Sequence, residues 1–345
     1  MTTNWKKTIA QMVLLLGLIS FAFWFALKDD YQEVLHNLKS VSLVWIGIIF
    51  LFGILYYLLQ GYMLYTITKP YKKDVTFKDG CYNAYIAAFF NGVTPLGGGQ
   101  VAQTYAFRKL AISYQDIASI LWKEFFLYQS VVVGFACVLI ITHFAFSMHT
   151  FSGYFLLVLV GLCINASVIL ILWTMSHFPK LYSWISEKIV SIGEKLHIIK
   201  KKEEILEKWN LQVEYFTKEI KQLKKDKRLI KKGVLIDLLR QIIYYSIPYL
   251  VGIGLGLPLS FDDIMTVLLL SCFIHMLNAL TPLPGDSGWT ESAFILIFSV
   301  PFGKVYASSI MILWRFATYY LNILIGGCIF FIIKTHKNGE TSSNR

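Results

Sequence analysis

Charge is what this sequence has least of. Only 15% of its 345 residues are charged, against 56% hydrophobic, whereas a soluble domain carries about 25% charged residues. Cysteine is scarce as well. The five cysteines, Cys81, Cys137, Cys163, Cys272 and Cys328, form no Cys-x-x-Cys pair. That excludes a zinc ribbon and a disulfide framework and leaves them as small apolar side chains. The seven histidines do not cluster, so no metal site is expected. No P-loop and no nucleophile triad appears, and no cofactor and no catalytic residue is implied. Prolines number only eight, yet three of them, Pro95, Pro282 and Pro284, fall in the one phrase that the chain repeats.

What is abundant is uninterrupted apolar sequence. Uncharged runs cover Thr8–Leu27, Val41–Tyr65, Cys81–Phe107, Phe125–Pro179 and Gln241–Phe261. Because about 20 apolar residues cross a bilayer as a helix, the expected fold is all-α, a polytopic integral membrane protein with about six spans. Lys6 and Lys7 precede the first run, which meets Lys28-Asp29-Asp30 without a small-x-small cleavage site. It reads as a retained anchor rather than a signal peptide.

The repeated phrase is Asn91-Gly-Val-Thr94-Pro95-Leu96-Gly97-Gly98, which returns 187 residues later as Asn278-Ala-Leu-Thr281-Pro282-Leu283-Pro284-Gly285. Proline lacks an N–H and clashes with the preceding turn, and glycine frees the backbone, so neither phrase continues a helix. Non-helical backbone at membrane depth survives only where it is buried in protein or lines a wet cavity. A broken helix in each of two halves points to a transporter's binding site. After each break a glycine-containing turn, Gly97-Gly98-Gly99-Gln100 or Asp286-Ser287-Gly288, leads toward a new helix start. Free N–H groups and the positive dipole end there suit a phosphate-bearing headgroup.

Lysine and arginine mark the cytoplasmic side of a membrane. They concentrate at Lys6-Lys7, at Lys69 to Lys78, and between residues 180 and 232, where 15 Lys/Arg face 8 Asp/Glu. The expected topology therefore puts both termini in the cytoplasm of a multi-pass plasma-membrane protein. The two broken segments then enter from opposite faces, as re-entrant elements of an inverted repeat. Four regions follow: an N-terminal membrane half (1–175), a basic amphipathic linker (176–232), a C-terminal membrane half (233–334) and a disordered tail (335–345). The linker reads as a solvated helical hairpin, or as helices lying on the anionic inner leaflet. It carries no nucleic-acid-binding motif.

Charges inside apolar sequence are costly and usually functional, about 2.5–3.5 kcal/mol each at the bilayer centre. Asp286, Glu291 and Arg315 are candidates of this kind. Lys123 and Glu124 are adjacent and cannot point the same way on a helix, so at least one needs a partner elsewhere. Arg108 and Arg240 lie near basic loops and read as interfacial anchors.

Three strings, "NGVTPLGGGQVAQTYAFRK" (91–109), "LTPLPGDSGWTESAF" (280–294) and "LWRFATYYLNILIGG" (313–327), with "LYQ" (127–129) between the first two, resemble the membrane region of phosphatidylglycerol lysyltransferases. That family includes the multiple peptide resistance factor and shorter membrane proteins. The resemblance implies a membrane domain that moves lysyl-phosphatidylglycerol or a related anionic or aminoacylated phospholipid between leaflets. By position, Pro95, Gly98, Gly99, Gln100 and Gln103 match the first motif. Pro282, Gly285, Gly288 and Glu291 match the second, and Arg315 and Tyr319 the third. With Asn91, Thr94, Asn278, Thr281 and Asp286 these form the expected substrate-binding set, and Lys123 and Glu124 are charge partners. In relatives with a soluble acetyltransferase-like domain, that domain performs lysyl transfer; here about ten polar residues follow Lys334, so a flippase is expected, with a membrane phospholipid as partner and a separately encoded synthase as a second. The alternatives are a membrane-embedded lipid-headgroup transferase using Glu291 as general base, and a scaffold for such a synthase.

Overall fold

A computed structural model describes residues 31–94, 98–195, 202–280 and 288–342. All regular structure among them is helical. In chain order the helices are α1 (Tyr31–Ser40), α2 (Leu43–Thr68), α3 (Phe77–Val93), α4 (Gly99–Lys109), α5 (Tyr114–Thr142), α6 (Phe144–Thr150) and α7 (Ser152–His177). Then come α8 (Pro179–Lys195), α9 (Lys202–Lys225), α10 (Lys227–Gly254), α11 (Asp263–Asn278), α12 (Trp289–Arg315), a π-helical turn (Phe316–Tyr320) and α13 (Leu321–Ser342).

Side chains at the helix starts explain the boundaries. Ser42, Thr76, Ser113 and Asp226 each accept an N–H from the first turn of α2, α3, α5 and α10. Such caps satisfy donors that the helix itself leaves unpaired.

Five described stretches are long and apolar enough to cross a bilayer: α2, α5, α7, α10 and the stretch Trp289–Ile332. The chain is a polytopic membrane protein. The first expected span, Thr8–Leu27, lies outside the described residues. Within Trp289–Ile332, Gly303 takes φ 74° and ψ 158° two residues after Pro301. Left-handed φ suits glycine, and the helix is broken there.

The interrupted segments form two helical hairpins, α3 on α4 and α11 on α12. At ~1.5 Å per residue, α4 reaches only ~16 Å and α11 ~24 Å, short of a core ~30 Å thick. The breaks themselves, Pro95–Gly97 and Thr281–Ser287, lie outside the described residues, and with them Pro95, Thr281, Pro282, Gly285 and Asp286.

Close packing pulls the hairpins into the bundle. A methyl carbon built on Gly161 of α7 would sit 2.1 Å from the Met276 carbonyl oxygen of α11, and one on Gly53 of α2 equally close to that of Ala317. Only small residues permit such crossings.

The linker is helical, as its periodicity predicts, but it is not free in solvent. α8 packs on α9, and α9 docks onto α5, α7 and α10, burying Val213, Phe216, Ile220 and Leu223. At the other end α13 continues to Ser342, beyond Lys334, where composition predicts a disordered tail. Once a span has nucleated a helix, extending it by polar residues costs little.

Candidate functional site

Each repeated Asn closes its own hairpin. In the first, Asn91 at the end of α3 accepts the Gly99 N–H through Oδ1 at 2.8 Å, and Thr94 Oγ1 accepts the Gly98 N–H at 2.8 Å. In the second, Thr290 at the start of α12 donates its hydroxyl to Asn278 Oδ1 at 3.0 Å, and Trp289 Nε1 donates to the Leu277 carbonyl at 3.0 Å. The sequence reading leaves the N–H groups of Gly98 and Gly99 free for an anion. In the fold they are taken, because the motif's own Asn and Thr cap the new helix.

Glu291 and Arg315 meet. Arg315 Nε lies 2.9 Å from Glu291 Oε1, with the side chains 5% and 4% exposed. Oε2 of Glu291 accepts the Gly288 N–H at 2.6 Å. Both carboxylate oxygens are therefore engaged, one by a cation and one by the helix start. The π turn follows directly after Arg315, and such turns often mark functional positions.

Arg315 forms part of the wall of a cavity of about 380 Å³, within the range of ligand sites. Asn278 and Thr290 come from the second hairpin, Arg315, Thr318 and Tyr319 from the end of α12 and the π turn. Opposite them stand Tyr56, Tyr57, Tyr128 and Tyr244, with Asn165 and His275. No carboxylate lines the cavity among the described residues. The first hairpin approaches through the Tyr319 hydroxyl, which donates to the Gly92 carbonyl at 3.4 Å.

Other expected residues are elsewhere. Asn91, Thr94, Gly98, Gly99, Gln100 and Gln103 do not line this cavity; Gln103 is buried against α3, its carbonyl accepting from Asn83 Nδ2 at 3.1 Å. Lys123 and Glu124 do point apart. Lys123 pairs with Glu219 of α9 at 2.7 Å and donates to the Tyr71 hydroxyl, which itself donates to Glu219 at 3.0 Å. Glu124 faces Arg240 at 3.5 Å, and Asp237 lies 2.6 Å from the same guanidinium nitrogen. Arg240 is thus no interfacial anchor: it is 2% exposed, because about nine residues of α10 carry it some 13 Å past the basic cluster at Lys231-Lys232. Arg108 is exposed and donates to the Ile112 carbonyl at 2.8 Å while stacking on Tyr114.

A family model described as the lysylphosphatidylglycerol synthase TM region matches residues 9–326. The chain belongs to that family. No curated protein matches it. The three strings that carry the resemblance all meet around this cavity or at its edge, through Gly92, Thr290 and Arg315 with Tyr319.

The residues that sequence reasoning missed are mainly tyrosines. Tyr56-Tyr57 and Tyr244-Tyr245 are two doublets deep in apolar runs, whereas membrane tyrosines favour the two interfaces. Doublets away from the interfaces were the available signal.

Proposed function

We propose that the protein is a lipid translocase that passes an anionic or aminoacylated phospholipid, such as lysyl-phosphatidylglycerol, between the leaflets of the plasma membrane. The observation that carries this reading is the buried Arg315–Glu291 pair at a polar cavity walled in part by the second interrupted hairpin, with the first joined to its edge through the Tyr319–Gly92 hydrogen bond. Intramembrane charges cost too much to be kept without use, and the wall offers one guanidinium, hydroxyls and amides, a chemistry suited to a phosphodiester. Tyrosine faces would take an ammonium group by cation–π attraction. Acyl chains would stay in the bilayer while the headgroup occupies the cavity. The short hairpins act as re-entrant elements of an inverted repeat, and one half rocks against the other around the site. Lysine-rich loops favour cytoplasmic termini, and a separately encoded synthase would supply an aminoacylated substrate.

Use of Glu291 as a general base is disfavoured, because Arg315 and the Gly288 N–H hold both of its oxygens. The test is reconstitution of the full chain in vesicles carrying fluorescent phosphatidylglycerol or lysyl-phosphatidylglycerol, with the outer leaflet quenched chemically. Wild type should move the lipid, and Arg315→Gln should lose most of that activity while staying folded. Folded wild type that moves neither lipid would overturn the reading.

A further inference from the structure

We infer that Asp237 and Glu124 form a proton-binding site whose occupancy is linked to the presence of an anion in the tyrosine-lined cavity. The proposal rests on the headgroup reading above and adds a proton to it. It begins with charge balance. Lys123 is committed to Glu219 and Arg315 to Glu291. Arg240 is left as one guanidinium facing two carboxylates, Asp237 at 2.6 Å and Glu124 at 3.5 Å. Asp237 is fully buried, Arg240 is 2% exposed, and the Glu124 side chain keeps 14% exposure.

Two ionised carboxylates beside one cation in a dry interior leave an uncompensated charge, and a buried group in that position neutralises by taking a proton. The orphan atoms agree. Asp237 Oδ2 and Arg240 Nε are buried without hydrogen-bond partners, as are both polar atoms of Gln241, one helical turn beyond Asp237. A proton on a carboxylate oxygen turns an unpaired acceptor into a donor. Asp237, Arg240 and Gln241 lie on one face of α10.

The link to the cavity is direct. The guanidinium of Arg240 stacks on Tyr56 at 5.0 Å and Tyr128 at 4.8 Å, and its Nη2 donates to the Tyr56 hydroxyl at 3.4 Å. Both residues also line the cavity. Groups from every packed helix face the cluster. α2 contributes Tyr56 and Tyr57, and α5 contributes Glu124 and Tyr128. His275 and Cys272 of α11 reach its edge beyond Tyr245, Arg315 of α12 lies across the cavity, and Glu219 of α9 is held by Lys123. The acids in direct contact with Arg240 are Asp237 and Glu124.

An anion entering the cavity competes for the field of Arg240 and favours the protonated pair. The proton leaves a buffer acid in solvent as its conjugate base, enters at Glu124, the member with exposure, and adds to a carboxylate oxygen, with no bond of the protein broken. By linkage, protonation strengthens anion binding by the factor by which the anion strengthens protonation. A unit charge one side chain away, in a medium of ordinary protein polarity, shifts that equilibrium about tenfold.

The test measures binding of short-chain phosphatidylglycerol to the purified full chain in mild detergent from about pH 5 to about pH 9, a range in which its phosphodiester stays singly charged. Wild-type affinity should fall about tenfold across the range, with proton uptake on binding reported by a pH indicator in weak buffer. Asp237→Asn, which mimics the protonated acid, should bind with a flat pH profile and no uptake. Glu124→Gln, at the more exposed member, gives a second variant if Asp237→Asn does not fold. A flat wild-type profile, or a slope unchanged in a folded variant, overturns the proton site and leaves the headgroup reading standing. Absence of phosphatidylglycerol binding at every pH overturns both.

Discussion

Tyr319 donates its hydroxyl to the carbonyl of Gly92 at 3.4 Å, tying the π turn after α12 to the last turn of α3. Two of the three motif strings touch there, and Tyr319 also faces the cavity. Removing one modest, part-buried hydrogen bond should cost only about 1 kcal/mol. Tyr319→Phe is therefore expected to melt close to wild type yet to slow lipid movement in reconstituted vesicles. Thermal unfolding measured beside the transport assay checks the separation of the two effects.

The Lys123–Glu219 pair fastens the linker to the membrane core. Breaking a buried pair from one side strands the other charge, at about 3–5 kcal/mol. Lys123→Met or Glu219→Leu should each destabilise the protein by that order and raise hydrogen exchange in α9. The double variant should recover most of the loss, since an apolar pair of similar volume leaves no orphan charge. Exchange rates in the three variants decide this.

Tyr71 lies in the loop after α2, where burial and the neighbouring Glu219 carboxylate hold its phenol above the ordinary range. Its neutral form is thus favoured by the fold. The stability this contributes is complete below an unfolded value of about 10 and is lost as pH rises beyond it. Alkaline unfolding should begin later in Tyr71→Phe than in wild type, which a pH titration of the melting temperature would register.

Gly161→Val should fail to fold or assemble. The Met276 carbonyl stands 2.1 Å from the position of the first added carbon, and backbone cannot yield as a side-chain tip can. Gly153 lies on the same helix with nothing within 4 Å of an added methyl carbon, so Gly153→Ala should be silent. Expression and gel-filtration profiles of the two variants provide the comparison.

Much of this architecture was readable from the chain. The long apolar runs mark the spans, and the repeated Asn-x-x-Thr-Pro phrase marks where α3 and α11 stop. Glu291 and Arg315 stood out because nothing near them in sequence compensates their charge. Their pairing with each other follows from the packing that brings the two ends of α12 together. Glu219 and Asp237 were not legible. Glu219 sits in a linker rich in charge, where one acid looks like any other, and Asp237 lies close to the basic start of α10. Burial separates these residues from their neighbours, and burial follows from which helix faces meet. The glycine turns misled in one respect: their freed N–H groups looked available, but Asn91 and Thr94 had already been supplied to cap them.

Glu291 holds the Gly288 N–H with one oxygen and the Arg315 guanidinium with the other. A ligand that draws the guanidinium toward itself must also loosen the first turn of α12. Grip on a cargo and unlocking of the scaffold would then be a single event, hung on one side chain.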